Sequence, residues 1–267
     1  MKFDRSQGPH WLGSLTVPAM MQQVVLAMLP VIGISTWCFG PGVLINVAWS
    51  IIACLLFEAA ALRAQGKPLQ PFITDGSAIV TALLIALALP PMTPWWVTLT
   101  ACLFAIIFAK HLYGGLGQNP FNPAMAGYVV VLVSFPEHLA NWSADSNPAA
   151  GLAVTLDVFL RGDIAMATDV LSGATPLDDI RTELTGMRTM SEILSNPGYS
   201  VLGGSKWQLI NLAALGGGLW LLYRGIIRWH IPVAMLLTMA ALYTLFYFGD
   251  SATSPSPVLG LFSGGTM

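Results

Sequence analysis

Residues 20–62 read MMQQVVLAMLPVIGISTWCF-GP-GVLINVAWSIIACLLFEAAAL, two apolar runs from Met20 to Phe39 and from Gly42 to Leu62 joined by the turn signal Gly40-Pro41. A span through hydrocarbon needs about 20 mainly apolar residues, because every backbone polar group must be satisfied inside a helix. Both runs meet that requirement. Working outward, Gly76 to Leu89 and Trp95 to Ala109 are shorter and are separated by Pro90-Pro91-Met92-Thr93-Pro94. Ala124 to Phe135 follows Asn119-Pro120-Phe121-Asn122-Pro123, so its entrance is expected to be unwound, and Leu209 to Tyr223 and Ile231 to Phe248 complete the set. Short, Pro-interrupted pieces at membrane depth are tolerated only where they are buried in protein or line a site. The final residues, 258–267, read as the start of an eighth span cut off almost at once.

Composition points the same way. Charged residues make up 9% of the chain, against roughly 25% in an ordinary soluble domain, while 55% is hydrophobic and the mean hydropathy is +0.69. The expected fold is an all-α integral membrane protein, one polytopic domain over 1–267. It is a multi-span bundle with short or broken helices and one long extracytoplasmic loop over 136–206.

Charge placement sets an expected orientation. With the N-terminus inside, Lys2, Arg5, Arg63, Lys67, Lys110, Arg224 and Arg228 all fall on one side, as the positive-inside rule asks of the cytoplasm. The 136–206 loop then lies outside the cytoplasm and carries mainly acids such as Asp145, Asp157, Asp163 and Asp169. Trp37, Trp95, Trp96 and Trp207 would mark outer span ends, and Trp11 and Trp229 inner ones.

Several function classes drop out. The net charge of −2 and the scattered Lys and Arg argue against nucleic-acid binding. Cys38, Cys54 and Cys102 lack the close spacing of a cluster-binding set, and His10, His111, His138 and His230 are dispersed, so no metal site is expected. The N-terminus lacks the short apolar core and cleavage site of a signal peptide. Gly114-Gly115-Leu116-Gly117 follows a membrane helix instead of a strand, which removes the nicotinamide fingerprint.

One motif remains. Asp169-Val170-Leu171-Ser172-Gly173-Ala174-Thr175 resembles the signature at which a transferase esterifies FMN onto a threonine hydroxyl. Its residue types suit that chemistry: Gly173 frees the backbone, Ala174 adds little bulk and Pro176 biases Thr175 away from helix, presenting the hydroxyl in an extended loop. The plain alternative is an ordinary polar turn.

With Asp75-Gly76-Ser77-Ala78, the run from Lys110 to Ala124 and Ser263-Gly264-Gly265-Thr266-Met267 added, the chain resembles the family that unites the D subunits of Rnf complexes with the B subunits of sodium-translocating NADH:quinone oxidoreductases. The resemblance covers nearly the whole sequence, although members usually continue through several more helices. It implies a membrane component of an ion-pumping complex linking NADH and ferredoxin, with covalent FMN on Thr175. Its partners would be the A, B, C, E and G subunits with their flavin and iron-sulfur carriers. It also implies a second, non-covalent flavin, riboflavin, toward the cytoplasmic side.

Three sets of residues extend that reading. Gly114, Gly115, Asn119 and Asn122 border a candidate second flavin site, the alternative being a packing turn. Arg181 is the candidate partner of the esterified phosphate, the alternative being a solvated charge. Glu58 and Asp75 are candidates for an ion entrance, since an acid inside a span is costly, the alternative being that Glu58 snorkels or pairs with Arg63. A quinone-reducing homologue should carry a longer extension before its first span, and about twenty residues here favour the Rnf type. A channel or permease could share the broken helices but has no use for a flavin motif.

Overall fold

The computed structural model describes residues 16–70, 72–140, 142–143, 152–162, 172–173, 176–195, 199–200 and 203–262. The chain is an all-α integral membrane protein. Helix α1 spans Val17–Phe39 and α2 Gly42–Ala64, both long and apolar enough to cross a membrane. Thr16 caps α1 through its hydroxyl, and the helix stops at Gly40, whose φ of 88° is open to a residue without Cβ. Helix α3 is Ser77–Ala88. Helix α4 runs Trp95–Leu103 and continues without a break as a π-helical segment over Phe104–His111. Helix α5, Pro123–Ser134, starts at the Asn122 cap.

These pieces form the core. Helix α2 packs on α3 and α4, and α4 on α5, around Ala53, Cys54, Ala82, Ile85, Ala101, Ala105 and Val131, all at most 2% exposed. Small residues let backbones approach, the packing device of helices in lipid. A Cβ on Gly127 would strike the Ala101 carbonyl of α4.

Beyond α5 come α6 (Pro136–Ala140), β1 (Trp142–Ser143), α7 (Leu152–Arg161), β2 (Ser172–Gly173), α8 (Pro176–Thr185) and α9 (Met190–Leu194). The strands β3 (Tyr199–Ser200) and β4 (Gly203–Gly204) pair with each other. Helix α9 begins at a capping box in which Thr189 and Glu192 satisfy each other's backbone N–H groups. Its Glu192 carboxyl is held below its usual range by hydrogen bonds from the Thr189 backbone and hydroxyl. The chain then returns in α10 (Ser205–Tyr223), α11 (His230–Gly249) and the short α12 (Pro257–Phe262). Helix α10 lies along α1 so closely that a Cβ on Gly217 would meet the Ala27 carbonyl. Of the segment expected to begin an eighth span, 257–262 is helical and 263–267 lies outside the described residues.

Candidate functional site

Three elements meet near the end of α2. From α2 comes Glu58, 1% exposed; from the π-helical end of α4 come Lys110 and His111, 2% and 5% exposed; from the start of α3 comes Ser77. Lys110 Nζ donates to both Glu58 oxygens at 2.7 Å and to Ser77 Oγ at 2.8 Å. Ser77 in turn donates both its backbone N–H, at 2.7 Å, and its hydroxyl, at 2.6 Å, to Asp75 Oδ1. A continuous chain of polar contacts therefore runs Glu58, Lys110, Ser77, Asp75.

The π-helical winding explains how neighbours in sequence share one acceptor. Its wider turn brings Lys110 and His111 together onto Glu58, with His111 Nε2 at 3.2 Å from Oε1. That approach lacks hydrogen-bond alignment, and both ring nitrogens of His111 have no hydrogen-bond partner among the described residues. Glu58 is thus buried and paired with Lys110, not with Arg63, which is exposed. The alternative in which Glu58 snorkels or binds Arg63 is corrected: the wall of α3 and α4 closes over the carboxylate, and Lys110 supplies the counter-charge. Lys110 itself, expected as an interfacial charge beyond a helix ending at Ala109, lies inside the fold.

A cavity of about 540 Å³ opens beside this network, lined by Glu58, Asp75, Lys110, His111, Lys67 and the backbone of Gly114 and Gly115, with Leu62, Phe72 and Leu116 as apolar wall. Gly114 and Gly115 have φ of 112° and 110°, a conformation that favours glycine, and Lys67 Nζ ties down the Gly114 carbonyl at 3.3 Å. A second cavity of about 670 Å³ lies on the far side of Thr74 and Asp75, against Met21, Gln22 and Val25 of α1.

The structure brings the expected ion residues Glu58 and Asp75 and the expected flavin-border residues Gly114 and Gly115 to one cavity. It does not bring Asn119 or Asn122 there. The Asn119 side chain accepts from Gly117 N–H and donates to the Phe121 carbonyl, and Asn122 accepts from Ala124 N–H as the α5 cap. Sequence reasoning missed Lys110, His111 and Ser77 as site residues, although Lys110-His111 at the end of an apolar run was a usable signal.

Of the flavin motif, Asp169, Ala174 and Thr175 lie outside the described residues. Ser172 and Gly173 form β2, which pairs antiparallel with β1 in the register Trp142 to Gly173 and Ser143 to Ser172. Trp142 packs against Phe39 at the end of α1 and against Trp207 of α10, with ring centroids 5.7 and 5.0 Å apart. Arg181 sits on α8, exposed and without an ion pair among the described residues. No cluster of three or more metal-ligating side chains occurs among the described residues.

Comparison with known proteins agrees with this architecture. Proteins named as the D subunit of an ion-translocating oxidoreductase complex, from Pseudomonas aeruginosa and Escherichia fergusonii, are 47% and 40% identical to this chain. The alignments cover 100% of this chain and 77% and 80% of those relatives. The Aliivibrio salmonicida protein of the same name is 41% identical, over 100% of this chain and 80% of its own. A sequence model of the NQR2, RnfD, RnfE family matches residues 4–267, and the chain belongs to that family.

Proposed function

We propose that this chain is a membrane component of an ion-translocating NADH:ferredoxin oxidoreductase complex of the Rnf type, relaying electrons through FMN esterified to Thr175 and through a riboflavin, coupled to movement of sodium ions or protons. Identity at 47% across its whole length with a protein named for that class of complex carries the reading. In this orientation the N-terminus and the 540 Å³ cavity face the cytoplasm and the Thr175 loop faces the periplasm.

The residues fit a second flavin. The cavity falls in the usual size range of about 300–1,000 Å³ for small-ligand sites. It combines an apolar wall with the ring Nδ1 of buried His111, which has no hydrogen-bond partner among the described residues, and the glycine backbone allows close approach. An isoalloxazine supplies one- and two-electron chemistry, and the protein tunes and positions it. Gly114, Gly115 and His111 would hold its polar edge, while Leu62 and Phe72 exclude water. The lining sets two lysines, Lys67 and Lys110, beside two carboxylates, Asp75 and Glu58, so it could meet both the negative charge of a reduced flavin and a cation that balances it. At the outer loop Arg181 balances the phosphate ester; Arg181→Ala should lower flavin content or shift the midpoint potential, and unchanged values remove it from that role.

Thr175 has a direct test. In a denaturing gel under ultraviolet light the purified chain should fluoresce, and Thr175→Val should be dark. A band equally bright in the variant would move the attachment elsewhere.

A further inference from the structure

Asn46, Ser50, Cys54 and Glu58 recur at every fourth position of α2 and so share one face. Each is at most 1% exposed. Helix α4 runs alongside in the same direction: Trp49 Nε1 donates to the Trp95 carbonyl at 2.9 Å, Cys102 Sγ stands 3.9 Å from the Ser50 carbonyl, and Lys110 reaches Glu58. Thr98 lies one turn before Cys102 on α4, toward the Asn46 end of the seam.

Three oxygens in this seam, Asn46 Oδ1, Ser50 Oγ and Thr98 Oγ1, are buried with no hydrogen-bond partner among the described residues. Elsewhere the helix threonines solve this problem locally. Thr36, Thr81, Thr100, Thr238 and Thr244 each return the hydroxyl to the carbonyl four residues back. Thr98 and Ser50 do not. Native interiors satisfy such groups with ordered water held by about three polar partners.

The three atoms lie toward one end of the seam, and polar groups stand at both ends of the helix pair. At one end Asn46 Nδ2 and Thr93 Oγ1 both donate to the Pro90 carbonyl, at 2.8 and 2.7 Å. At the other stands the Glu58, Lys110, Ser77, Asp75 chain. Ser50 and Glu58 are about 12 Å apart along the helix axis, with the thiols of Cys54 and Cys102 between them.

We propose that Asn46, Ser50 and Thr98 hold an internal water, and that this hydrated seam between α2 and α4 is the path by which a monovalent cation, proton or sodium, passes between the Glu58 network and the Pro90 end. The inference rests on the ion-translocating function proposed for the chain.

The test uses the whole complex in liposomes, comparing wild type with Ser50→Ala/Thr98→Val and with the hydroxyl-retaining Ser50→Thr/Thr98→Ser. Sodium uptake and internal pH are followed separately, beside flavin content and uncoupled electron transfer. For Ser50→Ala/Thr98→Val, ions moved per electron should fall by about tenfold, the rate equivalent of one lost hydrogen bond, with uncoupled electron transfer kept. The hydroxyl-retaining pair should restore transport. Wild-type transport in the Ala/Val variant, with a raised melting temperature, would make the hydroxyls packing groups and end the proposal. Electron transfer without any ion movement in wild type would instead remove the ion-translocating function beneath it. An independent readout covers a variant that fails to assemble: in Cys38→Ala complex placed in D2O, infrared S–H bands of Cys54 and Cys102 should exchange if the seam is wet. Bands that stay protonated overturn the proposal.

Discussion

The buried end of α2 and the segment from α7 to α9 both carry acid–base pairs, to opposite effect. Glu58 and Lys110 pair at 2.7 Å with side chains 2% and 3% exposed. Arg188 and Glu183 pair at the same distance, and Arg161 and Asp157 at 2.8 Å, yet with one or both side chains in contact with solvent. Taking a charge out of water is costly, so a buried pair is a structural commitment, whereas an exposed pair is screened and nearly free to break. Distance alone does not rank these contacts.

The largest effect should come from splitting the buried pair. Lys110→Met leaves Glu58 uncompensated and should cost about 3–5 kcal/mol, read as a lower melting temperature in detergent. Glu58→Gln/Lys110→Met should cost less than the two single changes combined, and strict additivity would show that the two side chains do not act as a pair. Next, Gly217→Val forces a branched side chain against the Ala27 carbonyl and should cost about 1–3 kcal/mol by overpacking, with the loss seen as separation of α10 from α1 in cross-linking. In the outer segment, Thr189→Ala removes the α9 cap and should cost about 1 kcal/mol locally, visible as faster amide exchange over 190–194.

The same cap gives a pH signature. Glu192 has a lowered carboxyl pKa in the fold, so its contribution is present above the unfolded carboxylate value and is lost as pH falls through the folded one. Amide protection of α9 should drop on acidification in wild type and stay flat in Glu192→Gln. Smallest of all, Asp157→Asn should change stability by less than about 0.5 kcal/mol, as exposed i,i+4 pairs do.

The apolar runs made the helices legible because hydropathy is local: Met20 to Phe39 and Gly42 to Leu62 lie inside α1 and α2, and the Asn122 and Pro123 pair does start α5. Lys110 was not legible in the same way. A lysine at the end of an apolar run reads as an interfacial charge, and only the π-helical winding turns it inward toward an acid 52 residues earlier. Its partner is a property of packing, and so is the orphaned state of Thr98, which depends on α2 lying alongside. The motif around Thr175 is the reverse case, readable as a string while Thr175 itself lies outside the described residues. Asn119 and Asn122 show the limit of reading a loop by composition, since both side chains are spent on their own turns.

The pairing of Trp142 with Gly173 sets a leash. Trp142 is clasped by Phe39 and Trp207, which fixes β2 to the ends of α1 and α10. The β1–β2 pair is therefore anchored to the membrane helices, and a shift of either helix end would carry Ser172 and Gly173 with it.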